Sequence, residues 1–146
     1  TVSTIAVGKG PEAIAVSPGG AELWVAHSRD GGVSVIDIAA RRVVRTIDLQ
    51  TKRSNRLAFT PDGAFVLISD LDGGALVVVD TAARTEVKRI PLGRSPEGIV
   101  VAPDGSRAYV AVTGDNNVAV IDVSTLTVVG RIETGAGPDG MAWVGR

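Results

Sequence analysis

The chain has 146 residues, 45% of them apolar and 21% charged, with a net charge of −1. That balance excludes a disordered chain and argues against a general nucleic-acid binder, which carries a basic excess. No cysteine is present, so disulfides, thiolate chemistry and cysteine metal ligands are excluded, and no apolar run reaches the roughly 18 residues that span a bilayer.

In chain order, the first predicted element is an apolar stretch at 2–7. It shares the phase of later strands, since Ile5 precedes Ile47 by 42 residues. A unit of four short strands follows and then returns twice. Its first strand is apolar throughout (13–16, 57–59, 99–101) and ends at a turn carrying Pro18, Pro61 or Pro103. Those prolines lie 43 and 42 residues apart. Proline presets φ and the glycines after it supply the positive φ of a tight hairpin. A second strand (23–27, 65–69, 108–112) leads into a polar glycine-containing loop. The third strand ends at Asp37, Asp80 or Asp122, with the same two spacings. That recurrence predicts a structural role for these aspartates in the turn that follows. The fourth strand alternates more clearly, as in Val43-Val-Arg-Thr-Ile47, which suits an outer strand with one wetter face.

A period near 42 residues holding four strands matches one blade of a β-propeller. The inner strands show little polar alternation because both faces of a blade pack on neighbours. The predicted fold is therefore all-β: a propeller fragment of four-stranded antiparallel blades, about three and a half in number. The expected allocation is an outer strand of a preceding blade at 1–10, blades at 11–50, 51–93 and 94–135, and the inner strand of a closing blade at 136–146. Such an arc cannot close a ring of four to eight blades alone. The expectation is the C-terminal half of a seven-bladed ring whose other blades cover its apolar ends.

The residues Pro96-Glu-Gly-Ile-Val-Val-Ala-Pro-Asp-Gly105, Tyr109-Val-Ala-Val112 and Asn117-Val-Ala-Val-Ile-Asp122 resemble the YVTN-type propeller repeat family of surface-layer and periplasmic proteins. The asparagine at the fourth motif position is replaced here by His27, Ser69 and Val112 on this reading. The resemblance covers nearly the whole chain. It implies a periplasmic, secreted or cell-surface protein, and it extends to the propeller parts of amine dehydrogenases and heme d-type nitrite reductases.

In such propellers the loop before each inner strand lines the mouth of the axial channel, a concave place that ligands favour. The candidate ligand-binding residues are Glu12, Arg53, Asn55, Arg56, Arg94, Glu97 and Asp139. The run Lys52-Arg-Ser-Asn-Arg56 breaks the Pro-Glu pattern of its neighbours. It reads either as an anion site or as a solvated basic loop paired with Glu12 or Glu97. His27 is the only histidine, and a lone histidine is a weak metal signal. Asp30, Asp70, Asp72, Asp115 and Asn116 fall in loops on the same face, where turn chemistry is the simpler reading.

No nucleophile elbow, Walker loop, HExxH or dinucleotide fingerprint is present. No catalytic residue, metal or resident cofactor is assigned. The leading expectation is a non-catalytic binding or scaffold propeller that engages a protein or small anionic ligand through its loop face. The alternative is the propeller portion of a periplasmic oxidoreductase, with a quinone or heme cofactor supplied by other residues or another subunit.

Overall fold

β-branched residues dominate the segments between the turns, and they favour a pleated surface over a helix. The computed structural model describes residues 2–145, and these form twelve strands in three antiparallel four-stranded sheets. The first blade holds β1 (Pro11–Val16), β2 (Glu22–His27), β3 (Gly32–Asp37) and β4 (Arg42–Asp48). The second holds β5 (Ser54–Phe59), β6 (Phe65–Asp70), β7 (Ala75–Asp80) and β8 (Thr85–Pro91). The third holds β9 (Pro96–Val101), β10 (Arg107–Val112), β11 (Asn117–Asp122) and β12 (Thr127–Glu133). Each sheet pairs its strands in chain order. The inner strands β1, β5 and β9 lie side by side, which is propeller architecture. Among the described residues the sole helical element is one 3-10 turn, Thr113–Asp115.

The inner strands begin two or three residues earlier than the apolar runs suggest. Pro11 pairs with His27, Ser54 with Asp70 and Pro96 with Val112, each followed by a register shift in the ladder. A bulge of this kind bends the strand and re-aims its first side chains. It is what brings polar residues 12, 55 and 97 into the blade. The pairing also corrects one motif position. β2, β6 and β10 end at His27, Asp70 and Val112, so Asp70 and not Ser69 is the counterpart of His27.

The turns use two chemistries. Between first and second strands, Gly20, Gly63 and Gly105 sit at φ near 72°, and each donates its N–H three residues back at 2.8 Å. Between third and fourth strands, Arg41, Arg84 and Leu126 occupy the left-handed region at φ 53°, 57° and 52°. Asp37 and Asp80 accept the N–H of Ala40 and Ala83 at 2.7 Å, and Asp122 accepts those of Ser124 and Thr125 at 2.9 and 3.1 Å. The repeated aspartates therefore cap this turn. Left-handed geometry costs an L-residue about 1–2 kcal/mol, while glycine loosens the unfolded chain by about half of that. Exposed Arg41 is the clean place to see the difference. Arg41→Gly is expected to stabilise the protein by about 0.5 kcal/mol, read as a shift in the denaturant midpoint at unchanged slope.

The core lies between blades. Trp24, Val33 and Val35 of the first blade meet Val66, Ile68, Val77 and Val79 of the second. On the other face of the second blade, Leu67, Leu76 and Val78 meet Ala108, Val110 and Ile121 of the third. Alternate residues of one strand thus serve two cores, as period-2 geometry requires. Pro18 packs on Gly63 and Pro61 on Gly105, both at 3.6 Å from where a Cβ would stand. Two arginines tie each blade to the one before it. Arg89 of β8 donates to the Leu49 carbonyl at 2.6 Å, and Arg131 of β12 to the Leu92 carbonyl at 2.7 Å. Thr46 holds the corresponding place on β4.

The outermost segments, 2–7 and 140–144, carry no strand pairing among the described residues. The second of these, with the adjoining Asp139, lies against the third blade: the backbone of Asp139 and Gly140 lies against Gly98, and Trp143 stands 6.1 Å from the Tyr109 ring. Apolar surface remains bare at both flanks, with Ile14 62% and Ile132 51% exposed. No helix among the described residues is long and apolar enough to cross a membrane.

Candidate functional site

The starts of the three inner strands place a line of charge across neighbouring blades. Arg53, in the loop before β5, reaches Glu12 of β1 at 3.4 Å, and Arg56 of β5 lies 3.8 Å from the same oxygen. Arg56 also donates to the Asn55 side-chain carbonyl at 3.2 Å, and Asn55 is buried. On the far side of Arg56 stand Glu97 and Asp139, which hold equivalent positions in successive repeats. Burial pushes the Glu97 carboxyl above its ordinary range, and the negative charge of Asp139 and a shared hydrogen bond push the same way; Thr113 and Arg56 oppose them. A buried carboxyl beside a second negative charge holds its proton to higher pH.

Six of the seven candidate residues therefore form one run: Glu12, Arg53, Asn55, Arg56, Glu97 and Asp139. Arg94 stands apart. Its Nε donates to Asp115 at 2.7 Å, and its side chain is 78% exposed. It contributes instead to the lining of a cleft of about 370 Å³ between loops 71–74 and 93–95, together with Asp72. Glu12 already engages both arginines of the basic loop, so an incoming anion must displace that carboxylate.

The raised Glu97 carboxyl has a signed consequence. A carboxyl whose folded pKa lies above its unfolded value binds an extra proton in the folded state. Stability then falls as pH rises from the ordinary glutamate value upward. Glu97→Gln is expected to raise the thermal midpoint at pH 7, with the gain vanishing below the ordinary value of 4.5. Thermal scans of both proteins across pH 3–8 check this. Equal midpoints at pH 7 would exclude the raised Glu97 carboxyl.

The loop aspartates and His27 do different work: they clamp the loop before each inner strand onto the loop after the second strand. In the first blade Asp30 accepts the Lys9 N–H at 2.6 Å, and His27 Nε2 accepts the Gly8 N–H at 3.2 Å. The second blade has Gly73 where the first has Asp30, so Asp70 takes over and accepts the N–H groups of Arg53 and Gly73 at 2.9 and 3.1 Å. In the third, Asp115 accepts the Arg94 N–H at 2.8 Å, a bond that with the Arg94 guanidinium holds its carboxyl below the usual range. One backbone problem is solved by three residue sets. The signal for this was in the sequence, in the 43-residue spacing that aligns Asp70 with His27. No group of three or more metal-ligating side chains occurs among the described residues.

Comparison with known proteins follows this geometry. The chain is similar to Kuenenia stuttgartiensis hydrazine synthase, with a TM-score of 0.87 and 31% identity over 95% of this chain and 40% of that one. It also superposes on the WD40 repeats of RRP9 with a TM-score of 0.82 at 13% identity, over 90% of this chain and 41% of that one, a likeness of fold alone. The chain thus spans about 40% of the length of these structures. No curated protein matches it in sequence. The family model described as Cytochrome D1 heme domain matches residues 1–103. Well over half of the chain falls within that match, and the chain belongs to the Cytochrome D1 heme domain family of β-propellers.

Proposed function

We propose that this chain is part of the propeller of a heme-related oxidoreductase that works outside the cytoplasm. The observation that carries the reading is the family match over residues 1–103. The 31% identity to hydrazine synthase supports it. This reverses the order of expectation from residues alone, which put a non-catalytic scaffold first. The repeats are of the YVTN type, with 1–10 and 136–146 belonging to neighbouring blades that cover Ile14 and Ile132. The run from Glu12 to Asp139 is the face on which a protein partner or a small anionic ligand sits, with Arg94 at its margin. Its arginines are half-neutralised by Glu12, so the run selects by geometry more than by net charge.

The full-length protein decides between the two readings. Purified from its own host, it should show a Soret band and a pyridine hemochrome, or co-purify with a heme-bearing subunit. A colourless protein with no heme-bearing companion would return the scaffold reading to first place. The binding face has its own test. Glu12→Gln frees two guanidinium groups and is expected to raise affinity for a dicarboxylate probe about tenfold, the worth of one charge-assisted hydrogen bond. Unchanged titration by calorimetry would remove this face from consideration.

A further inference from the structure

A heme iron is held by histidine, cysteine, methionine or tyrosine side chains. The sequence has no cysteine and one histidine, so His27 is where a histidine ligand of this chain would have to come from. The geometry around it does not fit that role. The His27 side chain is 2% exposed. Its Nε2 accepts the Gly8 N–H at 3.2 Å, and its Nδ1 lies 3.1 Å from Asp30 Oδ1. Asp30 in turn accepts the Lys9 N–H through its other oxygen. A Cβ on Gly8 would collide with three atoms of the imidazole, so the Gly8 backbone lies directly on the ring. Iron could reach Nε2 only by expelling the Gly8 backbone, and Nδ1 only by displacing the Asp30 carboxylate.

The other two blades show that this arrangement is structural. Val112 and Asp70 occupy the same strand-end position. Asp70 does the same work with a carboxylate, and in the third blade Asp115 does it beside Val112. Position 27 is thus one of three solutions to a repeating need for acceptors. Histidine suits it because its neutral ring offers one acceptor and one donor at once.

We infer that His27, with Asp30 beside it, is a clamp that fastens residues 8 and 9 to the first blade, and that no histidine of this chain ligates a heme iron. The inference takes the oxidoreductase reading as its setting. In that setting a histidine ligand comes from residues beyond these 146.

The test compares the full-length protein with its His27→Gln variant, whose longer side chain carries an amide oxygen to the Nε2 position, where it can still accept the Gly8 N–H. Heme content and Soret position are measured in both, as purified and after adding hemin. The expected result is identical heme content and band position, with a lowered thermal midpoint. Absence of heme from both proteins also agrees with the clamp, and strikes the oxidoreductase reading instead. Loss or displacement of the band in a folded variant would overturn the inference. Should the variant not fold, the imidazole ¹⁵N signals of the wild type, assigned through the hydrogen-bonded Gly8 amide, decide it. A proton on Nδ1 and an acceptor Nε2, unmoved by hemin, support the clamp. Displacement of Nε2 by iron overturns it.

Discussion

Trp24→Ala is expected to cost about 3–5 kcal/mol, the cost of removing a buried aromatic ring, with a fall in thermal midpoint of about 10 °C. Trp24 is fully buried between the first and second blades. Its ring meets Phe59 edge-on at 5.8 Å and 80°, an orientation that adds to the area it buries. Its Nε1 donates to Glu22 at 3.0 Å, and Glu22 is held from the second blade by Arg84. Alanine would therefore empty a core and release one end of an inter-blade ion pair together. Trp24→Phe keeps most of the volume and loses the N–H, so it should cost less than half as much. Urea unfolding of the three proteins checks the order. An alanine variant within 1 kcal/mol of wild type, well under the expected loss, would mean that the two blades do not share this core.

Asp70→Ala is the second large effect, at about 1–3 kcal/mol, from two part-buried backbone donors that lose their acceptor. Asp70 is 2% exposed and accepts from the Arg53 and Gly73 backbones. Arg89 stands 3.6 Å away and keeps its bonds to Glu86 and the Leu49 carbonyl, so it loses only a neighbouring charge. Asn at position 70 retains an acceptor and should recover about half of the loss. Hydrogen exchange gives a local readout. The Arg53 amide should lose protection in the alanine variant and keep most of it in the asparagine variant. Equal protection in all three would show that the carboxylate does not hold this loop. Gly73→Ala approaches the same site from the other side, since its Cβ would collide with the Asp70 carboxylate.

Much of the fold was readable because the punctuation is periodic. The three prolines and the three aspartates set one phase, and the apolar strands between them could only stack. Strand starts were less readable. Polar Ser54, Asn55 and Arg56 do not resemble the opening of a buried strand, and only the bulge accounts for them. The counterpart of His27 falls at 70 and not 69 because the first step of the repeat is 43 residues, as the prolines specify. The candidate face was partly legible. Equivalent positions of adjacent repeats must meet, which is why Glu12, Asn55, Glu97 and Asp139 line up, with Arg56 one residue further along. Arg94 carries the same kind of charge one loop later, yet Asp115 captures it. Competition between two acceptors for one flexible arginine has no signature in spacing.

The arginine ties run backward along the chain, from each outer strand to the blade before it. Thr46 is too short to repeat that reach, so the seam ahead of the first blade lacks the arginine tie and is held by the loop bonds of His27, Ser28, Arg29 and Asp30 to residues 8–10. A stack of repeats parts at its weakest neighbour contact. Under load or mild denaturant this arc should peel from that seam, leaving the two later joints shut.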